Sequence, residues 1–373
     1  MKVTINIIRI LVGILFIFSG LVKAIDPLGL SYKMQEFFEL WKMTQFNDYT
    51  LWLSIIMIAF EIIAGVALLL GWRLKLFSWL LLLLIVFFTF LTGYAYLSGK
   101  FKNCGCFGDC IPITSFTSFI KDIILLVLIL ILFAFRNKIK PLFSETLNVL
   151  FMLLIAAGSF WLQFYVLKHL PLIDCLPYRV GKNITENGKI PSGAVPDSFS
   201  IRFIYEKAGK EYEFSPAELP ADLNTYSYKN RIDKLVRKGN AEPPIKGFNL
   251  SGVTDIDSTD FVLMMPYSIL LFDNKVNKKT EEWEKQFQEI RKEADKKNIP
   301  IYIITTSVEE YVQNTKTDLP VFKCDFTAIR TAARANPTLY LLKMGTIEGK
   351  WSYADFDKVN KSLKSVPAQP SMQ

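Results

Sequence analysis

The chain has 373 residues, 51% of them hydrophobic and 30 of them Phe, with a mean hydropathy of +0.27, and it is too long for one average domain. Its 43 Lys and Arg against 35 Asp and Glu give a net charge of +8, but the cations are scattered, and no basic patch interleaved with aromatics marks a nucleic-acid surface. A single histidine, His169, argues against His-based metal sites and against a Ser-His-Asp arrangement within this chain.

These averages hide a split: residues 1–168 are mostly apolar, whereas 178–373 carry most of the Lys, Glu and Asp. Five stretches, at about 4–24, 50–71, 76–97, 116–135 and 148–168, are long enough to cross a bilayer, which takes about 20 residues. The first, preceded by Lys2, has the look of a signal peptide. It is long for that, lacks a small-x-small cleavage site and is followed by four more spans, so it reads as a retained helix. Lys2, Arg73, Lys75, Arg136, Lys138 and Lys140 fall on one side, and the acidic loop of 25–49 falls on the other. Lys100 and Lys102 run against this bias. The positive-inside rule then predicts a cytoplasmic N-terminus, with everything after the fifth span outside. In a Gram-negative bacterium this is a multi-pass inner-membrane protein with a periplasmic C-terminal domain.

Glu61 lies near the middle of the second span, where an unpaired charge costs about 2.5–3.5 kcal/mol on insertion scales. Its partner is expected among Arg9, Lys23 and Lys121. It reads either as one half of a buried ion pair or as a proton-relay or quinone-site acid. Trp41, Trp52, Trp72, Trp79 and Trp161, at or near span ends, read as interfacial anchors.

Three of the five cysteines lie in Cys104-Gly105-Cys106-Phe107-Gly108-Asp109-Cys110, between the third and fourth spans. Thiols there can exchange electrons, staple the loop or bind a soft metal. A Cys-x-Cys disulfide closes a strained ring, and strained disulfides are the labile ones. Gly105 and Gly108 permit the tight turn, and Asp109 favours a protonated thiol nearby. Cys110 reads as a resolving cysteine or as a stable partner. A closed zinc site lacks a fourth cysteine in the loop, although Cys175 could supply one. Cys104, Cys106 and Cys110 are therefore the candidate redox residues, with Glu61 as a buried acid beside them.

Phe18-Ser19-Gly20-Leu21-Val22-Lys23, Asp26-Pro27, Glu61, Gly71 and the Cys-Gly-Cys-Phe-Gly-Asp stretch resemble the DoxX and MauE-like families over about residues 5–135. The resemblance implies a four-helix membrane bundle and thiol-disulfide chemistry or respiratory electron transfer, with MauE-like proteins associated with maturation of a disulfide-rich enzyme. The segment from His169 to Gly181 resembles the junction to a fused periplasmic extension.

In that extension, Ser200–Tyr205 and Glu211–Phe214 predict a hairpin, and residues 243–252 a loop with an entry strand. Strand–helix alternation beyond 256 predicts an α/β unit. Its elements are a buried strand at Phe261–Met265, a helix at Glu281–Lys297, a strand at Ile301–Ile304 and a short helix at Thr327–Ala335. Asn336-Pro337 followed by Thr338–Gly345 resembles the cis-proline, strand and turn of a thioredoxin fold, with an edge strand at Thr346–Trp351. Where active thioredoxins carry Cys-x-x-Cys, after the first strand, the chain has Met265-Pro266-Tyr267-Ser268-Ile269, with no thiol. Pro337 is then the expected partner-binding position of a non-catalytic module, and Cys324 a core residue.

The expected fold class is an α-helical membrane bundle, DoxX-like with a fifth span, followed by a soluble thioredoxin-like α/β domain. The expected divisions are 1–140 for the bundle, 141–184 for the fifth helix and connector, 185–255 for a β-rich linker and 256–373 for the thioredoxin-like domain. The expected function is thiol-disulfide electron transfer from a periplasmic protein partner through the cysteine loop toward membrane quinone. The rivals are a non-catalytic scaffold or assembly subunit, and a transport or metal-handling role.

Overall fold

Long apolar runs become long helices because a backbone out of water satisfies its hydrogen bonds only internally. The computed structural model describes residues 2–101, 105, 107–237, 239–274 and 281–370. Five of its helices are long and apolar enough to cross a membrane. They are α1 (Lys2–Ala24), α3 (Thr50–Leu70), α4 (Leu74–Ser98), α5 (Ser115–Phe135) and α6 (Glu145–His169), and between the first two lies a shorter α2 (Pro27–Leu40). The stretch 25–49, expected to be a loop, holds this helix. A helix starts there because Pro27 occupies the first turn and the Asp26 side chain accepts from the Gly29 amide at 3.2 Å.

Helices α1 and α3 approach closely at Gly13 and Gly65. A Cβ built on Gly65 would lie 2.8 Å from the Gly13 carbonyl oxygen, the close backbone approach that small residues allow in membranes. Val12, Phe16, Leu68, Leu81, Ile85 and Ile129 fill the core beside this contact.

After α6 a connector carries α7 (Ile184–Asn187), then β1 (Ser198–Lys207), β2 (Lys210–Phe214) and β3 (Ser227–Arg237), which form an antiparallel sheet of order β2-β1-β3. Residues 243–252, expected to contain an entry strand, form only isolated bridges at Ser251.

The rest of the chain runs α8 (Thr259–Leu263), β4 (Ser268–Phe272), α9 (Glu281–Lys296), β5 (Ile301–Thr305), α10 (Val308–Thr315), β6 (Val321–Lys323), α11 (Phe326–Ala332), β7 (Thr338–Lys343), β8 (Thr346–Ser352) and α12 (Val359–Lys364). The sheet order is β6-β5-β4-β7-β8. Strand β4 is parallel to β5 and antiparallel to β7, and β7 is antiparallel to β8. The Asn336–Pro337 bond entering β7 is cis. This is a thioredoxin-like α/β domain.

One strand moves relative to the sequence reading. Phe261–Met265 is not the first strand: Phe261 and Met264 are exposed while Val262 and Leu263 are buried, a helical turn rather than a strand buried on both faces. The strand is Ser268–Phe272, all five residues of which are buried, as a central strand covered on both sides requires. The position that corresponds to Cys-x-x-Cys moves with it, from 265–269 to the β4–α9 connection at 273–280, whose sequence also contains no cysteine.

Candidate functional site

Three features converge where the membrane half meets the soluble domain: a buried charge network, the cysteine loop and a cation clamp from the thioredoxin-like sheet.

Glu61 finds one of its three expected partners. Lys23 Nζ lies 2.6 and 2.8 Å from the two Glu61 carboxylate oxygens, and both side chains are almost wholly buried. Ser19 Oγ donates to Glu61 Oε2 at 3.1 Å and accepts from Lys23 at 3.0 Å. Arg9 lies elsewhere, beside Gly71, and Lys121 is 2.6 Å from Asp122. Asp122 is a second buried acid that sequence reasoning missed. Its Oδ2 accepts from Thr92 at 3.0 Å. The adjacent Lys121-Asp122 pair, about two turns into an apolar span, was the available signal. Glu61, Lys121, Asp122 and Phe107 of the cysteine loop line one small cavity, so both buried acids border one space beside the loop.

A larger apolar cavity of about 200 Å³ lies between α2, α3 and α4. Phe37, Trp41, Met57, Phe88 and Leu91 line it, and its polar edge carries Lys23 and Thr92. Gly105, flanked in sequence by Cys104 and Cys106, forms part of the wall and packs against Lys33 of α2. Cys104 and Cys106 themselves lie outside the described residues.

Cys110 is placed, and its partner is Cys175 of the connector, in a disulfide with the two Cα atoms 4.9 Å apart. Both cysteines are partly exposed. Cys324 is 3% exposed, and burial pushes its thiol up to about 12, the state of an inert core cysteine.

The soluble domain meets this loop through Arg334, in the turn that leads to Pro337. Its guanidinium lies 2.9 Å from Asp26 and 2.9 Å from Asp109, with the side chain only 4% exposed. Burial works against this cation, but Asp26, Asp109 and Tyr32 around it hold its pKa above the ordinary value. For Asp26, burial wins over Arg334, and the carboxyl is pushed up. Arg330 stacks over Tyr32 of α2, 4.8 Å from the ring centroid. Pro337 is buried. The neighbouring Arg334, Ala335 and Asn336 line a cavity of about 350 Å³ closed on its other side by Ser31, Tyr32 and Gln35 of α2. The cis-proline region thus faces the membrane half of its own chain.

Residues 1–135 match the family model described as methylamine utilisation protein MauE. The membrane half is MauE-like, and the whole is a multi-pass membrane protein with a thioredoxin-like domain. Residues 199–238, which include the three-stranded sheet except its first residue, match a model described as a domain of unknown function. Protein TlpB of Flavobacterium psychrophilum is 34% identical over 134 residues, 35% of this chain and 36% of that protein. The chain therefore matches about a third of the length of this curated relative. A thioredoxin-like protein from Bacteroides caccae is 13% identical, covering 87% of this chain and 83% of its own at a TM-score of 0.24. Copper-bound yeast Sco1 is 18% identical over 33% of this chain and 94% of its own, TM-score 0.26. A Xanthomonas campestris peroxiredoxin Q is 18% identical over 31% and 90%, TM-score 0.25. These scores are low, and the thioredoxin-like assignment rests on the strand order itself.

Proposed function

We propose that this MauE-like protein sits in a bacterial inner membrane, N-terminus in the cytoplasm and thioredoxin-like domain in the periplasm. In this reading it moves electrons from the thiols of a periplasmic protein partner, through the cysteine loop, to a lipid-soluble quinone. The observation that carries the proposal is the wall position of Gly105: the residue between Cys104 and Cys106 borders an apolar cavity whose polar edge includes Lys23. Aromatic and aliphatic walls with a few convergent polar groups suit a flat, mostly apolar ring. When bound, a quinone supplies the acceptor for two electrons and two protons. Phe37, Trp41, Phe88 and Leu91 supply the cavity's apolar walls. Lys23 offers a hydrogen-bond donor at its inner edge, held in place by Glu61 and Ser19.

The rival reading, a non-catalytic assembly subunit, is favoured by the cysteine-free β4–α9 connection. One experiment separates the two. Full-length protein in liposomes is given dithiothreitol and a short-chain quinone, and quinol formation is followed by absorbance. The redox reading expects turnover that Cys104→Ser and Cys106→Ser each abolish while the protein remains folded and inserted. Full activity in both variants, or none in the unsubstituted protein, sinks it and leaves the assembly role.

A further inference from the structure

The join between Cys110 and Cys175 is held by more than its sulfurs. Each cysteine is preceded by an aspartate, and each aspartate is bound to a buried cation of the thioredoxin-like domain. Asp109 Oδ2 lies 2.9 Å from Nη2 of Arg334, and Asp174 Oδ2 lies 2.8 Å from Nζ of Lys350. Both cationic side chains are only 4% exposed. Arg334 leads into β7 and Lys350 stands in β8, paired in register with Tyr340 of β7. Lys350 Nζ lies 5.4 Å from the Tyr340 ring centroid. One end of one sheet therefore grips both Asp-Cys steps.

A disulfide that served only to staple the loop to the connector would not need this second set of bonds. With two ion pairs in place, opening the S–S bond leaves both backbones anchored and the two sulfurs adjacent. Both cysteines are also partly exposed. A domain without a Cys-x-x-Cys thus serves a cysteine pair that lies outside it.

We propose that Cys110–Cys175 is an exchange-active disulfide that accepts electrons from a protein dithiol outside the membrane, with Arg334 and Lys350 as its positioning residues. This rests on the thiol-redox reading above and adds to it the site where the partner's electrons enter. In the first step a partner thiolate attacks one of the two sulfurs. A mixed disulfide forms, the Cys110–Cys175 bond breaks, and its electron pair stays on the departing sulfur, which takes up a proton. The partner's second thiol then attacks its own sulfur in the mixed disulfide and displaces the other cysteine. The partner leaves as a disulfide, oxidised by two electrons, and Cys110 and Cys175 are left as two thiols carrying the two protons. Because the Asp-Cys steps remain anchored, the reduced pair is preorganised to close on itself.

The test uses full-length protein in detergent, dithiothreitol as the dithiol probe, and alkylation with mass mapping of every cysteine. Cys110 and Cys175 should become alkylatable without denaturant while the thermal melting midpoint stays nearly unchanged. After exchange into oxidised glutathione, the pair should re-form. Lys350→Met should slow that closure by about tenfold or more through lost preorganisation, and Lys350→Arg should restore it. Arg334→Gln should act in the same direction. If it does not fold, the Lys350 series and a Cys110→Ser/Cys175→Ser double variant still decide. The double variant should stay folded with its domain docked, yet lose exchange with the dithiol. A bond that opens only on unfolding, or a double variant that loses its docked domain, overturns the proposal in favour of a staple. If Cys104 and Cys106 cycle while Cys110–Cys175 stays closed, the redox reading survives and this inference fails. If none of the four reacts, both fail.

Discussion

Lys23 and Glu61 bind each other through both carboxylate oxygens, at 2.6 and 2.8 Å, where lipid-facing helices leave them almost no exposure. Neutralising one partner strands the other's charge in a medium that solvates it poorly. Glu61→Gln should therefore destabilise the bundle by about 3–5 kcal/mol, the cost of breaking a buried pair from one side. Thermal melting in detergent checks this, and the double replacement Lys23→Met/Glu61→Met should recover much of the loss. Unchanged melting together with lost quinone reduction would instead make Glu61 a proton carrier.

The α1–α3 crossing offers a second test away from any charge. Gly65→Ala would push a methyl to 2.8 Å from the Gly13 carbonyl oxygen, and backbone cannot turn aside as a side chain can. The helices must separate, at about 1–3 kcal/mol by the usual cost of overpacking. Gly158→Ala in α6, where nothing lies within 4 Å of the added carbon, is the matched control and should hold or slightly raise the melting midpoint.

Asp355 ties the soluble domain to the last span. Its Oδ2 is 3.0 Å from Nδ1 of His169 and 3.2 Å from Ser352 Oγ, and Lys358 bonds the other oxygen. Burial works against this carboxylate, but the hydrogen bonds from Lys358 and His169 hold its pKa below the ordinary value. A depressed acid adds stability above its unfolded pKa of about 3.9 and loses it as pH falls through the lower folded value. Melting should therefore weaken on acidification from about pH 4 downward, and Asp355→Asn should flatten that acid limb. An acid limb that is the same in the variant would show that other carboxylates carry it.

Orientation is tested by single cysteines in a background without the native ones, labelled with a membrane-impermeant thiol reagent. A cysteine at Glu348, exposed in β8, should label from outside, and one at Asn137, exposed after α5, should not. Labelling at Asn137 alone would invert the topology.

The five long helices were legible because runs of apolar residues of bilayer length have few other folds open to them. The Lys23–Glu61 pair was legible as one of three choices, since a mid-span acid demands a cation without naming it. Helix α2 was not, because its polar and apolar residues mix until Asp26 and Pro27 are recognised as a cap and first turn. Strand β4 was mistaken for its apolar neighbour: two short hydrophobic runs, separated by Pro266, look alike until burial distinguishes a one-sided turn from a two-sided strand. Strand β3 was unread because Lys229, Arg231, Asp233 and Lys234 interrupt its apolar residues. The clamp was beyond sequence reasoning altogether. Arg334 and Asp109 are 225 positions apart, Lys350 and Asp174 are 176 apart, and only the folded sheet brings them to one place.

The Cys110–Cys175 bond also constrains the path of the chain, whichever side of the membrane it occupies. It closes a ring over a sequence separation of 65 that contains both α5 and α6. A covalent loop whose ends meet on one face must pass through the bilayer an even number of times, so these two helices cross as a pair or not at all. The bond can close only after α6 has returned the chain to the face that α5 left. Its formation in a living cell would thus report that the last hairpin had inserted, without reference to the charges of the connecting loops.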